Sequence, residues 1–444
     1  MANSMFDVLR DEGMTTLIVR YDYRTDKEYI IAKKEWDDDI QWCNFNKTFY
    51  ADSLLTQNDV YLNNAETRAL FEKHGQTAYL DQVFDLLRKG KFFGLDCYYN
   101  KKKDMRFTAN LHNITLGINS KDYAVYTGGI RRHDFGEPEI EVLIDGLNLG
   151  RAQTYKNVSS KIPYGGGKIT VQANPVDLDD KDELGFLAFS LDRVKFFTGP
   201  DMRYPNELAD AMAEFSAYIT AGPKNKIGSS GIPTAIGVHA AMKEAIKFHF
   251  NKDTMKGFKF ALMGLGSVGY PQAELLIKDG AEDLTVCDLD PSTIELLKRS
   301  YPNIKITVVN PDEILDVDAD ILVPSAIGGF LTEDVINKIK FKMVFGGANN
   351  QLYATNKEEE IRLAKILESR GILYQECWVQ NIGGVMSGKE MYTKGDEANK
   401  EALFKRIEKV CAEKTLSNLT EAKAKGITPN ENAYRVIDNL IYAK

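Results

Sequence analysis

Residues 15–33 alternate apolar and polar positions, with Leu17-Ile18-Val19 and Tyr29-Ile30-Ile31 as the apolar groups, and this two-residue period predicts a β-hairpin. Residues 35–105 are more polar, with helices predicted over 65–74 and 78–88. Strand-like segments recur near 106–116 and 123–126. Val142, Leu143, Leu147 and Leu149 lie on or near one helical face and predict a helix over 140–155. A buried strand over 168–172 follows, then helices within 181–198, over 207–218 and over 234–249. From residue 258 the pattern changes. Apolar strands at 258–263, 283–287, 304–309, 321–323, 343–345 and 372–374 alternate with helical stretches, which predicts a parallel, doubly wound sheet. Two helices, about 400–425 and 431–442, close the chain.

The Gly-, Ser- and Pro-rich stretch 221–231 is a natural boundary. With 444 residues the chain suits two α/β domains. The expected division is an N-terminal domain over 1–225, a Rossmann domain over 226–420 and a C-terminal helix over 421–444 folding back on the first. Apolar residues at 43% and charged residues at 27% fit a soluble globular protein, and the net charge of −8 gives no reason to expect nucleic acid as a partner. The five cysteines form no Cys-x-x-Cys pair and the five histidines have no metal-ligand spacing, so neither a disulfide framework nor a metal site is expected. No apolar run is long enough to span a bilayer, and residues 1–10 lack the apolar core of a signal peptide. A reducing, cytoplasmic setting and no membrane partner are expected.

The first candidate chemistry is Gly264-Leu265-Gly266-Ser267-Val268-Gly269. It follows an apolar strand and opens a helix, and Asp288 closes the next strand nineteen residues after Gly269. In that context Gly264 makes the tight turn, Gly266 lets a pyrophosphate approach the helix N-terminus, and Gly269 permits close packing. Ser267 and Val268 complete the loop. Asp288 is expected to accept from the adenosine ribose hydroxyls and to repel a 2′-phosphate, favouring NAD over NADP. Asp290, before Pro291, reads as a helix cap.

The second is Tyr155-Lys156 followed by Tyr164-Gly165-Gly166-Gly167-Lys168, two lysines twelve residues apart with the second after three glycines. A lysine shielded from water can have its pKa drawn towards neutrality and act as a base. Gln153-Thr154-Tyr155-Lys156-Asn157 and Pro163 to Lys168 resemble the glutamate/leucine/phenylalanine/valine dehydrogenase family, leucine dehydrogenase above all. Thr198-Gly199-Pro200-Asp201-Met202, the run from Ser230 to Val238, the run from Phe345 to Leu352 and Asn381-Ile382-Gly383-Gly384-Val385 follow in the same order. The resemblance covers about residues 105–444. It implies an N-terminal domain for substrate binding and oligomerisation, a homo-oligomer, and NAD-dependent, reversible oxidative deamination of an L-amino acid to its 2-oxo acid and ammonia.

The resemblance also implies roles. Lys156 would bind the substrate carboxylate, Lys168 would activate water, and Asp201 would shuttle protons at the substrate nitrogen. Thr234 would contact the nicotinamide carboxamide, with Ala326 and Asn349 as further cofactor contacts. Asn381 would help hold the carboxylate end, with Val385 beside it. Gly128, Gly129, Thr127 and Gln153 would line the substrate cleft, and the glycine run would shape its floor.

Two departures bear on the substrate. Glutamate-specific members carry a lysine just before the paired glycines and a serine three residues beyond the Asn-x-Gly-Gly-Val motif; here Thr127 and Gly388 stand there. A distal carboxylate would be buried without a cation, which is costly. Aliphatic-specific members carry leucine and methionine at the positions of Thr127 and Gln153. Thr127, Gly199 and Gly388 imply a roomier or more polar pocket, and a neutral substrate other than glutamate. Residues 30–105 form an added region, in which Trp36, Trp42, Phe45 and Phe49 are either a subunit contact or a satellite core. Two alternatives stand beside this reading: a Rossmann oxidoreductase acting on a hydroxy or keto acid, and a catalytically silent binding protein of the same fold.

Overall fold

A computed structural model of the chain describes residues 3–46, 55–56, 59–121, 123–220, 222–354 and 356–442. The chain divides into two compact units. The first comprises Met1–Asn157, Pro163–Gly228 and Met391–Thr393; the second comprises Val158–Ile162, Ser229–Glu390 and Lys394–Lys444.

The first unit is built on a sheet of β1 (Thr16–Asp22), β2 (Lys27–Lys34), β3 (Val60–Leu62), β4 (Gly94–Asn100), β5 (Met105–Leu111), β6 (Tyr126–His133), β7 (Gly165–Gln172) and β8 (Phe196–Pro200). Their spatial order is β3-β2-β1-β4-β5-β7-β6-β8. β6 runs parallel to β7 and β8, and the other pairs are antiparallel. The hairpin expected over 15–33 is β1–β2. Alternation puts Leu17, Val19, Leu95 and Cys97 in one core with Leu143 and Leu147 of the helix Glu139–Ser159. Ile169, Val171 and Ile130 fall in the opposite core with Phe186 and Phe189 of the helix Lys181–Val194.

β3, β4 and β8 were not legible in the periodicity. Every residue of β4 is buried, so its sequence GLDCYYN shows no alternation. Asp96 within it is held by the Arg20 guanidinium at 2.5 Å, which is how a carboxylate sits in a buried strand. β6 continues through Gly128-Gly129 to His133, beyond the strand expected to end at 126. The helix expected over 207–218 spans only Glu207–Met212.

Trp36, Trp42 and Phe45 are buried in the first unit's core. The Trp42 ring lies 4.7 Å from Phe189 and Trp36 lies 5.5 Å from it, so these aromatics are core and not a surface for a second subunit. Phe49 lies outside the described residues.

The second unit contains β9 (Lys259–Met263), β10 (Asp283–Cys287), β11 (Lys305–Val308), β12 (Ile321–Pro324), β13 (Met343–Val344) and β14 (Leu373–Tyr374). The order is β11-β10-β9-β12-β13-β14, all parallel, the doubly wound arrangement the alternation predicts. Residues 421–444 were expected on the first domain, yet they group with the second unit. There the helix Pro429–Tyr442 packs on the helix Lys357–Ser369 through Lys357–Asp438 at 2.6 Å, and Tyr434 packs its ring 5.5 Å from Trp378. An amphipathic pattern says that a helix buries one face; it does not name the partner. Among the described residues no helix is long and apolar enough to cross a membrane.

Candidate active site

Strand alternation places Thr127, Gly129 and Arg131 of β6 on the sheet face covered by the helix Glu139–Ser159. Lys168 of β7 is on the same face, because Ile169 and Val171 occupy the other. Asp145, Gln153 and Asn157 lie at multiples of four along the helix and reach down on the same stripe. Asp201 follows β8, and its backbone N–H donates to Ile130 O at 3.0 Å, which fixes it beside β6.

These elements bring Lys168 and Asp201 into direct contact. The Lys168 ammonium donates to Asp201 Oδ2, and the lysine side chain is only 7% exposed. The Arg131 guanidinium donates to the same oxygen through Nε at 3.2 Å and Nη2 at 3.1 Å. Its Nη1 engages both oxygens of Asp145, at 3.1 and 2.9 Å. Burial lowers the Lys168 pKa, with the positive charge of Arg131 acting in the same direction; Asp201 pulls it back up. For Asp201, burial pushes the pKa up but is outweighed by the charges of Lys168 and Arg131, so the carboxyl is held far below its ordinary range. The resting state is a lysinium–carboxylate pair whose lysine is biased towards giving up its proton.

Gly129 is required by this arrangement. A Cβ at that position would lie 2.7 Å from Lys168 Nζ and 3.1 Å from Asp201 Cβ. The run Gly165 to Gly167 has a different use from the one expected. A Cβ on Gly166 would sit 2.0 Å from Thr154 N, so this glycine lets the helix Glu139–Ser159 close on β7, while a Cβ on Gly165 would meet Asn113 O at 1.9 Å and one on Gly167 the Phe196 ring at 2.6 Å; the space is filled by protein and is not a ligand floor.

Thr127 and Gln153 meet. Gln153 Nε2 donates to Thr127 Oγ1 at 3.1 Å and to Asn157 Oδ1 at 3.0 Å. Lys156 is buried on the same helix, one turn from Gln153.

The second unit holds the remaining candidates. Gly264 has φ +96°, which a side chain would resist, and a Cβ there would press on Ala326 Cβ at 2.9 Å. A Cβ on Gly269 would lie 2.0 Å from Gly264 O, so only glycine closes the turn. A Cβ on Gly266 would meet nothing within 4 Å, and Ser267 is exposed. This open space over the start of the helix Gly269–Lys278 fits a pyrophosphate. Val268 packs on Gly347 instead of facing that space. Asp288 accepts from Leu265 N–H at 2.5 Å and from Asp290 N–H at 2.8 Å, so it braces the loop and retains a lone pair on each oxygen for a ribose. Asp290 caps the helix Pro291–Ser300 through Ser292 N–H, as its place before Pro291 implies. Thr234 Oγ1 donates to Ser230 O at 2.7 Å, leaving its lone pairs as acceptors. Asn381 Nδ2 donates to Gly347 O at 3.1 Å and Asn349 Oδ1 at 2.9 Å, and Val385 is half-buried one turn further on. Among the described residues no group of three or more His, Cys, Asp or Glu is arranged to hold a metal.

Arg131 and Asp145 were missed by sequence reasoning. The signal was the two-residue period itself: Arg131 stands two positions after Gly129 and points the same way.

The model for Glutamate/Leucine/Phenylalanine/Valine dehydrogenase matches residues 292–439. A leucine dehydrogenase from Thermoactinomyces intermedius is 33% identical over 372 residues, covering 81% of this chain and 93% of that one. The chain belongs to the glutamate/leucine/phenylalanine/valine dehydrogenase family. It is thus related to oxidoreductases acting on CH–NH2 groups. A phenylalanine dehydrogenase from Lysinibacillus sphaericus is 36% identical over 293 residues, covering 64% of this chain and 72% of that one. The crystal structure of L-tryptophan dehydrogenase from Nostoc punctiforme matches with TM-score 0.61 and 28% identity, covering 81% of this chain and 98% of that one.

Proposed function

We propose that this chain catalyses the NAD-dependent, reversible oxidative deamination of a neutral L-amino acid to its 2-oxo acid and ammonia, working as a cytoplasmic homo-oligomer. The observation that carries the reading is the buried Lys168 ammonium on Asp201, with Arg131 biasing the lysine towards its neutral form. NAD⁺, when bound, accepts the hydride that leaves the substrate α-carbon. Gly264, Gly266, Ser267 and Gly269 would hold its pyrophosphate, Asp288 its ribose, and Thr234, Ala326 and Asn349 its nicotinamide end.

Lys156 binds the substrate α-carboxylate as a point charge. Lys168, once neutral, takes a proton from the water that adds to the substrate imine. Asp201 carries protons to and from the substrate nitrogen, so that ammonia leaves with its full complement. Burial and the charge of Arg131 both lower the Lys168 pKa, which suits the lysine to the role of base. Gly129 leaves the room beside β6 that Lys168 and Asp201 occupy, whereas Gly128, expected to line the cleft, lets β6 close on Gly167 of β7. Thr127 and Gly388 supply no cation, which disfavours glutamate.

The test is NADH formation over a panel of L-amino acids, repeated with Lys168→Ala. A neutral amino acid is expected as the best substrate, with a loss of about 10²-fold or more in the variant. Glutamate as the best substrate, or activity that survives Lys168→Ala, would overturn the assignment.

A further inference from the structure

Three polar side chains on the catalytic face of the first unit form a closed hydrogen-bond circuit whose direction can be worked out atom by atom. Asn157 is fully buried, and its Nδ2 donates to Tyr164 O at 3.0 Å and Gly165 O at 3.1 Å. Carbonyl oxygens only accept, so the amide of Asn157 has one possible orientation and its Oδ1 faces the circuit as an acceptor. That oxygen receives Thr127 Oγ1–H at 3.1 Å and Gln153 at 3.0 Å. The Gln153 atom there must be the nitrogen. Its second proton goes to Thr127 Oγ1 at 3.1 Å, whose own proton is already committed to Asn157. Both protons of the Gln153 amide are therefore used. Oε1 is the group left over, an acceptor that no donor holds among the described residues.

The circuit's position gives this oxygen a use. Thr127 is two residues from Gly129 along β6 on the same face, and a Cβ at Gly129 would lie 2.7 Å from Lys168 Nζ and 3.1 Å from Asp201 Cβ. Two strand residues span about 6.6 Å. An amino acid with its α-carbon at Lys168 extends its side chain over that distance. Gln153 is half-buried, so the residue is not sealed in the core.

We propose that Gln153 is a specificity-determining residue, and that the substrate is a neutral L-amino acid whose side chain carries an N–H or O–H donor for Gln153 Oε1. The inference rests on the amino acid dehydrogenase reading above and narrows its substrate class. Asn157 acts through Gln153: by fixing which end of the amide faces Thr127, it decides that the pocket presents an acceptor. A purely apolar side chain would desolvate Oε1 without replacing its hydrogen bond.

The test compares near-isosteric substrates that differ in the donor, glutamine against methionine and asparagine against leucine, as kcat/KM for NADH formation. The wild-type enzyme is expected to favour the donor-bearing member of each pair by about tenfold. Gln153→Met and Gln153→Leu are expected to abolish or reverse that ratio, and their melting temperatures show that they fold. The wild-type ratios decide the matter even where neither variant folds. Equal or reversed wild-type ratios, with good activity on some neutral amino acid, overturn this inference and leave the dehydrogenase reading standing. No NADH formation from any amino acid overturns that reading and this inference with it.

Discussion

Gly129→Ala should separate chemistry from folding in this protein. The new methyl would lie 2.7 Å from Lys168 Nζ. Unstrained contacts of this kind relax to about 3.6 Å, so the ammonium must retreat by about 0.9 Å. Lysine is long and flexible, and β6 at Gly129 has no left-handed torsion, so the fold can absorb the change at little cost. The active site cannot, because the atom that moves is the one that must reach water and Asp201. A misplacement near 1 Å lowers catalysis by about 10²-fold. We expect kcat to fall by that factor, with the melting temperature and the affinity for NADH unchanged. Gly128→Ala is the contrasting variant. Its methyl would lie 1.9 Å from Gly167 O, a backbone atom across the β6–β7 pair, so the protein should lose stability outright. Steady-state NADH formation, thermal melts and NADH titration distinguish the two. A Gly129→Ala enzyme that keeps kcat within about threefold of wild type would refute the geometry assigned to Lys168.

Arg131→Met removes a positive charge that holds the Lys168 pKa down, so the acid limb of the kcat/KM profile should move to higher pH, with activity at neutral pH reduced about tenfold or more and recovered on raising the pH. A limb that superimposes on wild type would contradict this. Glu376, buried in the second unit, accepts from Asn430 Nδ2 at 2.7 Å; burial first, and then the charge of Glu360, push its pKa up to about 8. An unfolded glutamate ionises near 4.5. Between those values the folded state binds more protons than the unfolded one, so stability falls with rising pH by up to about 1.4 kcal/mol per pH unit and levels off above the folded pKa. Glu376→Gln should remove that slope, and parallel melting curves for variant and wild type across the window would show that Glu376 does not titrate as described.

The second unit was legible because most of its short strands are apolar and alternate with helices, and junctions such as those at Gly264 and Asp290 carry turn chemistry. Lys168 and Asp201 were legible because their neighbours keep a recognisable order. Arg131 and Asp145 were not. Their contribution depends on β6 running on past Gly128-Gly129, and a glycine pair in a sequence reads as a break. Here the glycines are strand residues whose missing side chains make room for Lys168 and for β7. β4 escaped for the opposite reason: with both faces buried, nothing alternates. Asn157 could be read as part of a motif, but its effect on Gln153 lies in the direction of three hydrogen bonds, which no spacing encodes.

The spatial order β5-β7-β6-β8 also sets when the pairing of Lys168 with Asp201 can form. β8, which delivers Asp201, is the last of these strands to leave the ribosome and pairs with β6, whose other edge pairs with β7. A nascent chain ending before residue 196 can bury Lys168 beneath the helix Glu139–Ser159 yet offers it no counter-ion from Asp201. Docking of the edge strand then supplies the carboxylate that makes burying the lysine tolerable, so the ion pair acts as a latch that forms late in the assembly of the sheet. Truncations stepped through residues 190–205 would reveal it as a sharp onset of protease resistance in the first unit.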